Sequence, residues 1–403
     1  MDRENTIIIA AVLFILAVVL FYPLEPEETE PQLIKIGVLT CSKESNASEA
    51  FLANLAINDV NLYCINNSLP YRFKPVFKCS EKRAQHAIEM TDEFHSENVS
   101  IVVGYPWGSM LDACDYQSKS YGMVIISPDC NSAVHRDVYK HIFQLTPITF
   151  HEAQVIARSM IELGFTETVV YAKTNRHVDY IFDEFMKFYT ELGGTVSDIV
   201  TYSYSTDTDY INKNLVSLED AITKDFAIFS IDASPHSPFC YELYNHPKLL
   251  NHTWFGTRDA SSNHTATISV IPELAEIKMI NPVLDKTPDQ TNTLYCEINE
   301  RYYAEFGKNM TRYTGNMYDA VMLSALTVIE IGEYNNLTFI ETFPEIARNY
   351  IGVSGNCSLD QYGDRLHAGY HIYKYVLQGW DVYLKEIGYY DTEETEIHWT
   401  ELE

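Results

Sequence analysis

Polar side chains able to bind an anion follow two apolar segments in the first third of the chain. Ser109 follows the segment 101–104, and Asn131 and Ser132 follow the segment 123–126. A predicted helix begins immediately after Ser109, so its free backbone N–H groups would lie beside the serine hydroxyl. Hydroxyl, amide and N–H donors at a helix N-terminus favour an anion such as a carboxylate. The alternative is that Ser109 only caps this helix.

An aromatic residue accompanies these donors. Trp107 lies two positions before Ser109 in the same loop. An exposed indole there would supply a flat apolar wall, or a stacking face for a cation. The alternative is that Trp107 packs beneath the loop and does not face a ligand.

The chain lacks the short motifs of common enzyme classes. It contains no Gly-x-Ser-x-Gly, no Walker A sequence, no Gly-x-Gly-x-x-Gly and no His-Glu-x-x-His. Its histidines and acidic residues are scattered, and its eight cysteines form no Cys-x-x-Cys pair and no Cys/His cluster. We therefore expect no catalytic residue, no metal site and no cofactor.

The segments that must position these residues alternate between short strands and amphipathic helices. The predicted strands lie at 33–40, 72–77, 101–104, 123–126, 168–172, 196–203 and 226–230. The predicted helices lie at 48–66, 82–95, 110–121, 151–163, 179–192 and 210–223, with a later helical section at 290–331 and a β-rich tail around 370–377. This alternation predicts an α/β protein with two doubly wound, parallel-sheet lobes. Ligands of such sheets bind at the carboxyl ends of the strands, so the crevice between the lobes is the expected site.

The charge and the N-terminus indicate an extracytoplasmic protein. The 56 acidic and 28 basic residues give a net charge of −28, which disfavours nucleic acid and anionic lipid as partners. Residues 1–24 contain an apolar run of marginal membrane-spanning length, and 25–32 form an acidic, proline-containing linker. We favour an uncleaved anchor over the alternative of a cleaved signal peptide. Eight sequons favour a glycosylated surface protein: Asn46, Asn66, Asn98, Asn251, Asn263, Asn309, Asn336 and Asn356.

The cysteines fit an oxidising compartment. Cys64 and Cys79 are 15 positions apart, and we predict a disulfide between them, with Cys41–Cys79 as the alternative. Such a link would stabilise the first lobe by about 3 kcal/mol in the loop-entropy description.

Four segments occur in an order typical of one family. They are the opening strand 34–39, the loop Gly-Tyr-Pro-Trp-Gly-Ser at 104–109 with Ile-Ile-Ser-Pro at 125–128, Tyr-Asp-Ala at 318–320, and Gly-Val-Ser-Gly at 352–355 with Gly-Asp-Arg at 363–365. Over about 330 residues these segments resemble type I periplasmic binding proteins, in particular the branched-chain amino-acid and amide-binding branch of ABC-transporter receptors.

The resemblance implies how the lobes are joined. A three-strand hinge would cross first near 145–147, and again near 270–290 and 350–370. The N-terminal lobe would comprise 33–146 plus about 280–355, and the C-terminal lobe 147–279 plus about 356–403. Contacts from one ligand to both lobes would drive closure.

The resemblance also implies ligand contacts on the first lobe. In relatives the Ser of a Gly-Pro-x-x-Ser loop and a polar residue after Ile-Ser-Pro hold a ligand carboxylate. Carried over, these are Ser109 and a residue at 130–132, with Asn131 favoured and Ser132 beside it. The loop register is open by one position, so Gly108 is the alternative equivalent of the serine.

On the second lobe the implied contacts lie just after strands and beside the hinge. His177 occupies the position of an aromatic residue in relatives, and Asp232 that of an acid pairing with a ligand ammonium; their alternatives are a solvated residue and a helix cap. Arg258 replaces a usual Asp and could clamp a second carboxylate. The remaining candidates are Phe150, Asp259 and Tyr318, the last as a hydroxyl that closes the cleft.

The implied function is capture of a small molecule: an amino acid or amide first, with a short peptide or an organic acid as alternatives. The implied partner is an ABC permease in the membrane. The alternative role is the ligand-binding domain of a surface sensor that acts with a partner protein.

Overall fold

A computed structural model describes residues 30–42, 46–132, 140–174, 176–203, 205–222, 226–231, 239, 242–257, 277–379 and 381–400. The helices of these ranges are α1 (Asn46–Asn66), α2 (Ala84–Ser96), α3 (Gly108–Ser120), α4 (Thr149–Glu162), α5 (Arg176–Glu191), α6 (Thr208–Ala221), α7 (Pro247–Leu250), α8 (Thr293–Phe306), α9 (Asn316–Ile331) and α10 (Asn336–Arg348), with a 3₁₀ turn at Arg312–Gly315.

The strands belong to two main sheets and one short hairpin. They are β1 (Gln32–Thr40), β2 (Tyr71–Cys79), β3 (Ile101–Gly104), β4 (Val124–Ser127), β5 (Ile142–Gln144), β6 (Glu167–Lys173), β7 (Thr195–Tyr202), β8 (Ala227–Ile231), β9 (Trp254–Gly256), β10 (Ile280–Leu284), β11 (Ile351–Gly352), β12 (Gly355–Asn356), β13 (Gly369–Gln378), β14 (Asp381–Asp391) and β15 (His398–Trp399).

The first sheet is parallel, with strand order β2-β1-β3-β4-β5. Its two faces bury different cores, which explains the continuous apolar runs of its strands. Ile36 and Val38 pack with residues of α1, α8, α9 and α10, whereas Leu39, Val102 and Ile125 pack with residues of α2 and α3. The first lobe is therefore completed by helices that come from the last third of the chain.

The second sheet has the order β15-β14-β13-β10-β9-β8-β6-β7. Strands β10, β9, β8, β6 and β7 are mutually parallel, and β13, β14 and β15 extend the sheet from β10 by successive antiparallel pairings. The predicted β-rich tail is this long antiparallel hairpin. Two α/β lobes with parallel sheets confirm the predicted fold class.

The chain passes between the lobes at three places within the described ranges. The first follows β5, the second lies between β10 and α8, and the third lies between β12 and β13. The first and third connections touch, because Gln144 N–H donates to the Gly363 carbonyl (2.9 Å) and Arg365 N–H to the Gln144 carbonyl (3.0 Å). These connections lie close to the places where the family resemblance implied a hinge, and their action as a hinge stays a prediction.

The predicted anchor at 1–24 lies outside the described residues. Within the ranges given above, no helix combines the length and the apolar character needed to span a membrane.

The predicted Cys64–Cys79 disulfide is wrong. Cys64 lies near the start of β2, since its carbonyl accepts from Leu69 N–H (2.9 Å), whereas Cys79 is the last residue of that strand. A nine-residue strand is about 26 Å long, and a disulfide needs Cα atoms within about 7 Å. Both thiols are free. The alternative partner Cys41 lies beside Cys79, whose register partner is Thr40, and its thiol is also free.

One buried histidine predicts acid sensitivity of the first lobe. His141 is 6% exposed and bonds to the Ser118 hydroxyl (2.9 Å). Burial, assisted by the nearby Lys119, lowers its pKa to about 4. Because the unfolded chain takes up this proton near pH 6.5, stability is retained above pH 6.5 and falls between pH 6.5 and 4.

Lowering the pH from 7 to 5 should decrease the free energy of unfolding. We expect this decrease to be about 2 kcal/mol smaller in His141→Gln than in the unmodified protein. Urea unfolding at both pH values measures this loss, with exposed His398→Gln as the matched control. Identical pH dependence in His141→Gln and the unmodified protein would contradict the assignment.

Candidate functional site

Three strands of the first sheet end at the same edge, and their loops carry the polar residues singled out above. Thr40 ends β1, Gly104 ends β3 and Ser127 ends β4. Because the three strands are parallel, the loops that follow them lie side by side.

The loop after β3 is held in a strained conformation. A Cβ atom on Gly104 would lie 2.4 Å from the Leu39 carbonyl oxygen, so only glycine fits there. Tyr105 has φ 60°, which is unusual for a bulky side chain, and it is fully buried, with its hydroxyl 2.7 Å from the Thr91 hydroxyl. Backbone strain of this kind persists where surrounding contacts enforce it, and it clusters at ligand-binding loops. The anchored Tyr105 fixes the direction in which the next residues leave the sheet.

The loop after β4 is tied to this strained loop. The Ser127 hydroxyl donates to the Tyr105 carbonyl (3.0 Å) and accepts from Cys130 N–H (3.1 Å). The Pro128 carbonyl accepts from the Thr146 hydroxyl (2.6 Å), which lies in the hinge. Both loops are therefore fixed by the fold itself and do not depend on a ligand for their shape.

Four predicted contact residues come together at this edge. Trp107 is 41% exposed, Ser109 is exposed, Asn131 is half-buried and Ser132 is buried. Trp107 occupies the N-cap position of α3, and Ser109 is the second residue of the helix. Ser109 is therefore not the cap, and its exposed hydroxyl lies beside the free N–H groups of the first turn. Contact of these four residues with a ligand stays a prediction.

The edge also holds a carboxylate that the sequence analysis did not select. Asp129 follows Ser127-Pro128 directly, and its side chain is exposed. Surrounding protein and the charge of Glu49 nevertheless raise the pKa of Asp129 to about 6. Asp129 therefore combines an exposed side chain with a raised pKa. Glu49 in turn accepts from Cys41 N–H (3.3 Å), which places both acids at the end of the first sheet.

The second-lobe candidates are only partly described. Phe150 is half-buried in α4, and its ring lies edge-on to Phe188 (5.0 Å between ring centroids). His177 is the second residue of α5, but its side chain lies outside the described residues. Asp232, Arg258 and Asp259, which follow the ends of β8 and β9, also lie outside them. Their roles stay predictions.

Tyr318 has a position that favours a structural role over the predicted cleft contact. Its side chain is 3% exposed within the first-lobe core, and its hydroxyl donates to the Asp59 carboxylate on α1 (3.0 Å). Burial, then the Asp59 charge, raises the pKa of Tyr318 well above its usual range. The side chain thus joins α9 to α1.

The neighbouring motif residues form a buried hinge network. Asp319 accepts from Val353 N–H (2.7 Å), Ser354 N–H (2.8 Å) and the Ser354 hydroxyl (2.6 Å). Arg365 donates to the Ser354 hydroxyl (3.0 Å) and carbonyl (3.0 Å). A Cβ atom on Gly352 would lie 2.3 Å from an Asp319 oxygen, so the close approach requires glycine. Burial raises the pKa of Asp319, against hydrogen bonds from Ser354 and Val353 that favour its ionised form.

The network reaches the carboxyl edge of the first sheet through two amide side chains. Asn316 Nδ2 donates to the carbonyls of Pro128 (2.8 Å) and Leu145 (3.2 Å). Gln144 Nε2 donates to the Ser132 carbonyl (2.9 Å) and to Asp364 (2.7 Å). The connections between the lobes and the loop after β4 are therefore joined by hydrogen bonds.

Comparisons with known proteins agree with this architecture. Residues 49–378 match the family described as "Receptor family ligand binding region". No curated protein matches the chain in sequence. An ABC transporter substrate-binding protein from Desulfitobacterium hafniense superposes with a TM-score of 0.63 at 17% identity, over 88% of this chain and 100% of its own.

Two further solved structures carry solutes in their descriptions. A branched-chain amino acid transporter substrate-binding protein from Streptococcus pneumoniae, in complex with isoleucine, has a TM-score of 0.57 at 17% identity, over 88% of this chain and 100% of its own. A solute-binding protein of R. palustris, in complex with 4-hydroxybenzoate, has a TM-score of 0.62 at 14% identity, over 89% and 97%. At these identities the likeness establishes the fold.

The hinge network predicts a large stability effect from a single residue. Arg365 is 1% exposed and shares Ser354 with the buried Asp319, so Arg365→Ala leaves that carboxylate without its nearby positive charge. We expect a loss of about 3–5 kcal/mol in unfolding free energy. Arg348→Ala is the control: Arg348 pairs on the surface with Glu345 (2.8 Å), and its removal should change stability by less than about 1 kcal/mol. Urea unfolding measures both variants, and equal effects would contradict the assigned role.

Proposed function

The chain belongs to the receptor family ligand binding region family, and from this we propose that it is the extracytoplasmic solute-binding receptor of an ABC-type uptake system. The family binds ligands and is not a family of enzymes. The proposed ligand is a small amino acid or amide, held between the two lobes.

The position of the site is supported by the loop geometry of the first lobe. Trp107, Ser109 and Asn131 leave the carboxyl edge of a parallel sheet, where ligands of such sheets bind. Hydrogen bonds already fix these loops, so little conformational freedom would be lost on binding. We propose that Ser109 and the first-turn N–H groups of α3 bind the ligand carboxylate, and that Trp107 covers its apolar part.

The observation that supports this ligand class is the accessible carboxylate of Asp129. With a pKa of about 6, this group is largely ionised at pH 7 and above. It would attract an ammonium group and repel a solute that carries only a carboxylate. This favours an amino acid, as bound by the S. pneumoniae protein, over an aromatic acid, as bound by the R. palustris protein.

We propose that the second lobe closes over the ligand. Because β10 belongs to the second sheet, the N-terminal lobe in this proposal comprises 33–146 plus about 285–355, and the C-terminal lobe 147–284 plus about 356–403. Phe150 and His177 would line the opposing wall. Asp232, Arg258 and Asp259 would add charged contacts from the loops after β8 and β9.

We further propose that residues 7–24 tether the receptor to the membrane, beside an ABC permease. The tether would enter the first lobe at the start of β1, which is the sheet edge opposite the proposed ligand site. Exposed sequon side chains at Asn66, Asn98, Asn251 and Asn309 support glycosylation on an extracytoplasmic surface.

Ligand binding should be visible as thermal stabilisation. L-leucine, L-isoleucine, L-leucinamide and 4-hydroxybenzoate are the probes, and saturation at a hundred times Kd would stabilise the fold by about 2.7 kcal/mol. We expect an amino acid or the amide to raise Tm more than 4-hydroxybenzoate does. A shift by 4-hydroxybenzoate alone would contradict the ammonium assignment, and shifts by sugars or nucleosides alone would contradict the ligand class.

Asp129→Asn should weaken binding of the best amino acid or amide about 10- to 100-fold, because a charge-assisted hydrogen bond is replaced by a neutral one. The control Asp220→Asn changes an exposed carboxylate on α6 of the second lobe and should leave affinity unchanged. Calorimetric titration measures both variants. Equal affinity in Asp129→Asn and the unmodified protein would place the ammonium elsewhere.

Ligand affinity should also depend on pH. Protonation of Asp129 near pH 6 removes its charge, so affinity should fall about tenfold between pH 7.5 and pH 5. The same titration in Asp129→Asn should show a flat profile over this range. A fall of equal size in both proteins would assign the pH dependence to another group.

A further inference from the structure

The 3₁₀ turn Arg312–Gly315 joins α8 to α9, and side chains of the first-lobe core flank it on both sides. Met310 precedes the turn and Met317 follows it. Both are buried in the core that also contains Ile36 and Val38 of β1. The chain that enters and leaves this turn is therefore part of the first lobe.

Tyr313, within this turn, is buried in the opposite lobe. Its side chain is 8% exposed and belongs to the second-lobe core, which includes Ile156 of α4 and Tyr370 of β13. The turn makes a second attachment to that lobe, because Arg312 N–H donates to the carbonyl of Lys286 (2.9 Å), two residues after β10. A side chain carried by the first lobe is thus inserted into the core of the second.

The base of the turn is fixed on the side of the first lobe. A Cβ atom on Gly315 would lie 2.5 Å from the side chain of Val353, a first-lobe core residue between β11 and β12. Arg312 Nε donates to the Ser354 carbonyl (3.1 Å), and its guanidinium lies 5.8 Å from the centre of the Tyr313 ring. A rotation of the second lobe against the first would therefore withdraw Tyr313 from the second-lobe core.

The hydroxyl of Tyr313 opposes the burial of its own ring. The oxygen is buried and bonds to no group among the described residues. Burial of the aromatic ring stabilises the inserted position, whereas a buried hydroxyl without a partner has lost its hydrogen bonds to solvent. The ring has the larger effect, since the side chain is inserted, and the hydroxyl makes this attachment weaker than a phenylalanine would make it.

We propose that Tyr313 is a reversible latch between the lobes. When inserted, the side chain holds the lobe arrangement of this structure, and when withdrawn, it leaves the second lobe free to rotate. The latch rests on the proposed closure of the second lobe, and it names the side chain whose release that motion requires.

Amide hydrogen exchange of the full chain without solute tests the latch. Withdrawal breaks the bond from Arg312 N–H to Lys286, so the exchange rate of the Arg312 amide reports how often the latch opens. Tyr313→Phe keeps the ring and removes the unsatisfied hydroxyl, so this amide should exchange about tenfold more slowly. Tyr313→Ala removes the ring and leaves a cavity in the second-lobe core, so the exchange should be at least about fivefold faster.

The same two substitutions at Tyr303 are the matched controls, because this tyrosine on α8 is 53% exposed. Neither should change the exchange rate of the Arg312 amide. Exchange in Tyr313→Phe that is as fast as in the unmodified protein would overturn the latch, and this comparison decides even if Tyr313→Ala does not fold. Equal slowing at amides throughout both sheets would show a general gain in stability and would also overturn it. A solute screen without a hit would contradict the receptor role and would leave these exchange rates unchanged.

Discussion

The structure depends most on one buried interaction, in which Ser354 joins the Asp319 carboxylate to the Arg365 guanidinium. Asp319 is fixed on α9, Ser354 lies in the turn between β11 and β12, and Arg365 lies in the last connection between the lobes. A buried charge is expensive unless other charges and donors surround it, and each partner here supplies that compensation for the other. The three segments consequently hold a single arrangement at the point where the lobes meet.

The same network holds the carboxyl edge of the first sheet, where we propose that the ligand binds. Arg365 and Asn316 both donate to the Leu145 carbonyl, and Asn316 also donates to the carbonyl of Pro128, one residue before Asp129. The loops of the first lobe are fixed, and the connections between the lobes are packed together. This arrangement suits the proposed receptor, in which the first lobe presents half of the binding site and the second lobe closes over it. The strained backbone at Tyr105 contributes to the fixed first lobe, since its buried side chain holds the loop with the exposed Trp107 in place.

The sequence predicted the two lobes because strand and helix periods alternate clearly and the strands are apolar on both faces. The site was predicted less completely. Tyr318-Asp319 and Gly363-Asp364-Arg365 are recognisable in sequence, but their roles in the hinge depend on residues far away in the chain, such as Asp59 and Ser354. The sequence analysis did not select Asp129, which carries the proposed ammonium contact, because the family resemblance implies a carboxylate contact at Asn131 in the same loop. The Cys64–Cys79 pairing failed because closeness along the chain ignored the length of the strand between them.

In the proposed complex, the solute is enclosed between the two carboxyl edges, with its ammonium on the first lobe. A crystal structure of the full chain grown with L-isoleucine or L-leucine tests this most directly. We predict density for the amino acid between the loops at 105–109 and 128–132, with its ammonium within hydrogen-bond distance of Asp129 and the second lobe rotated toward it. An amino acid bound elsewhere on the protein, or bound at this edge with its carboxylate against Asp129, would contradict the account.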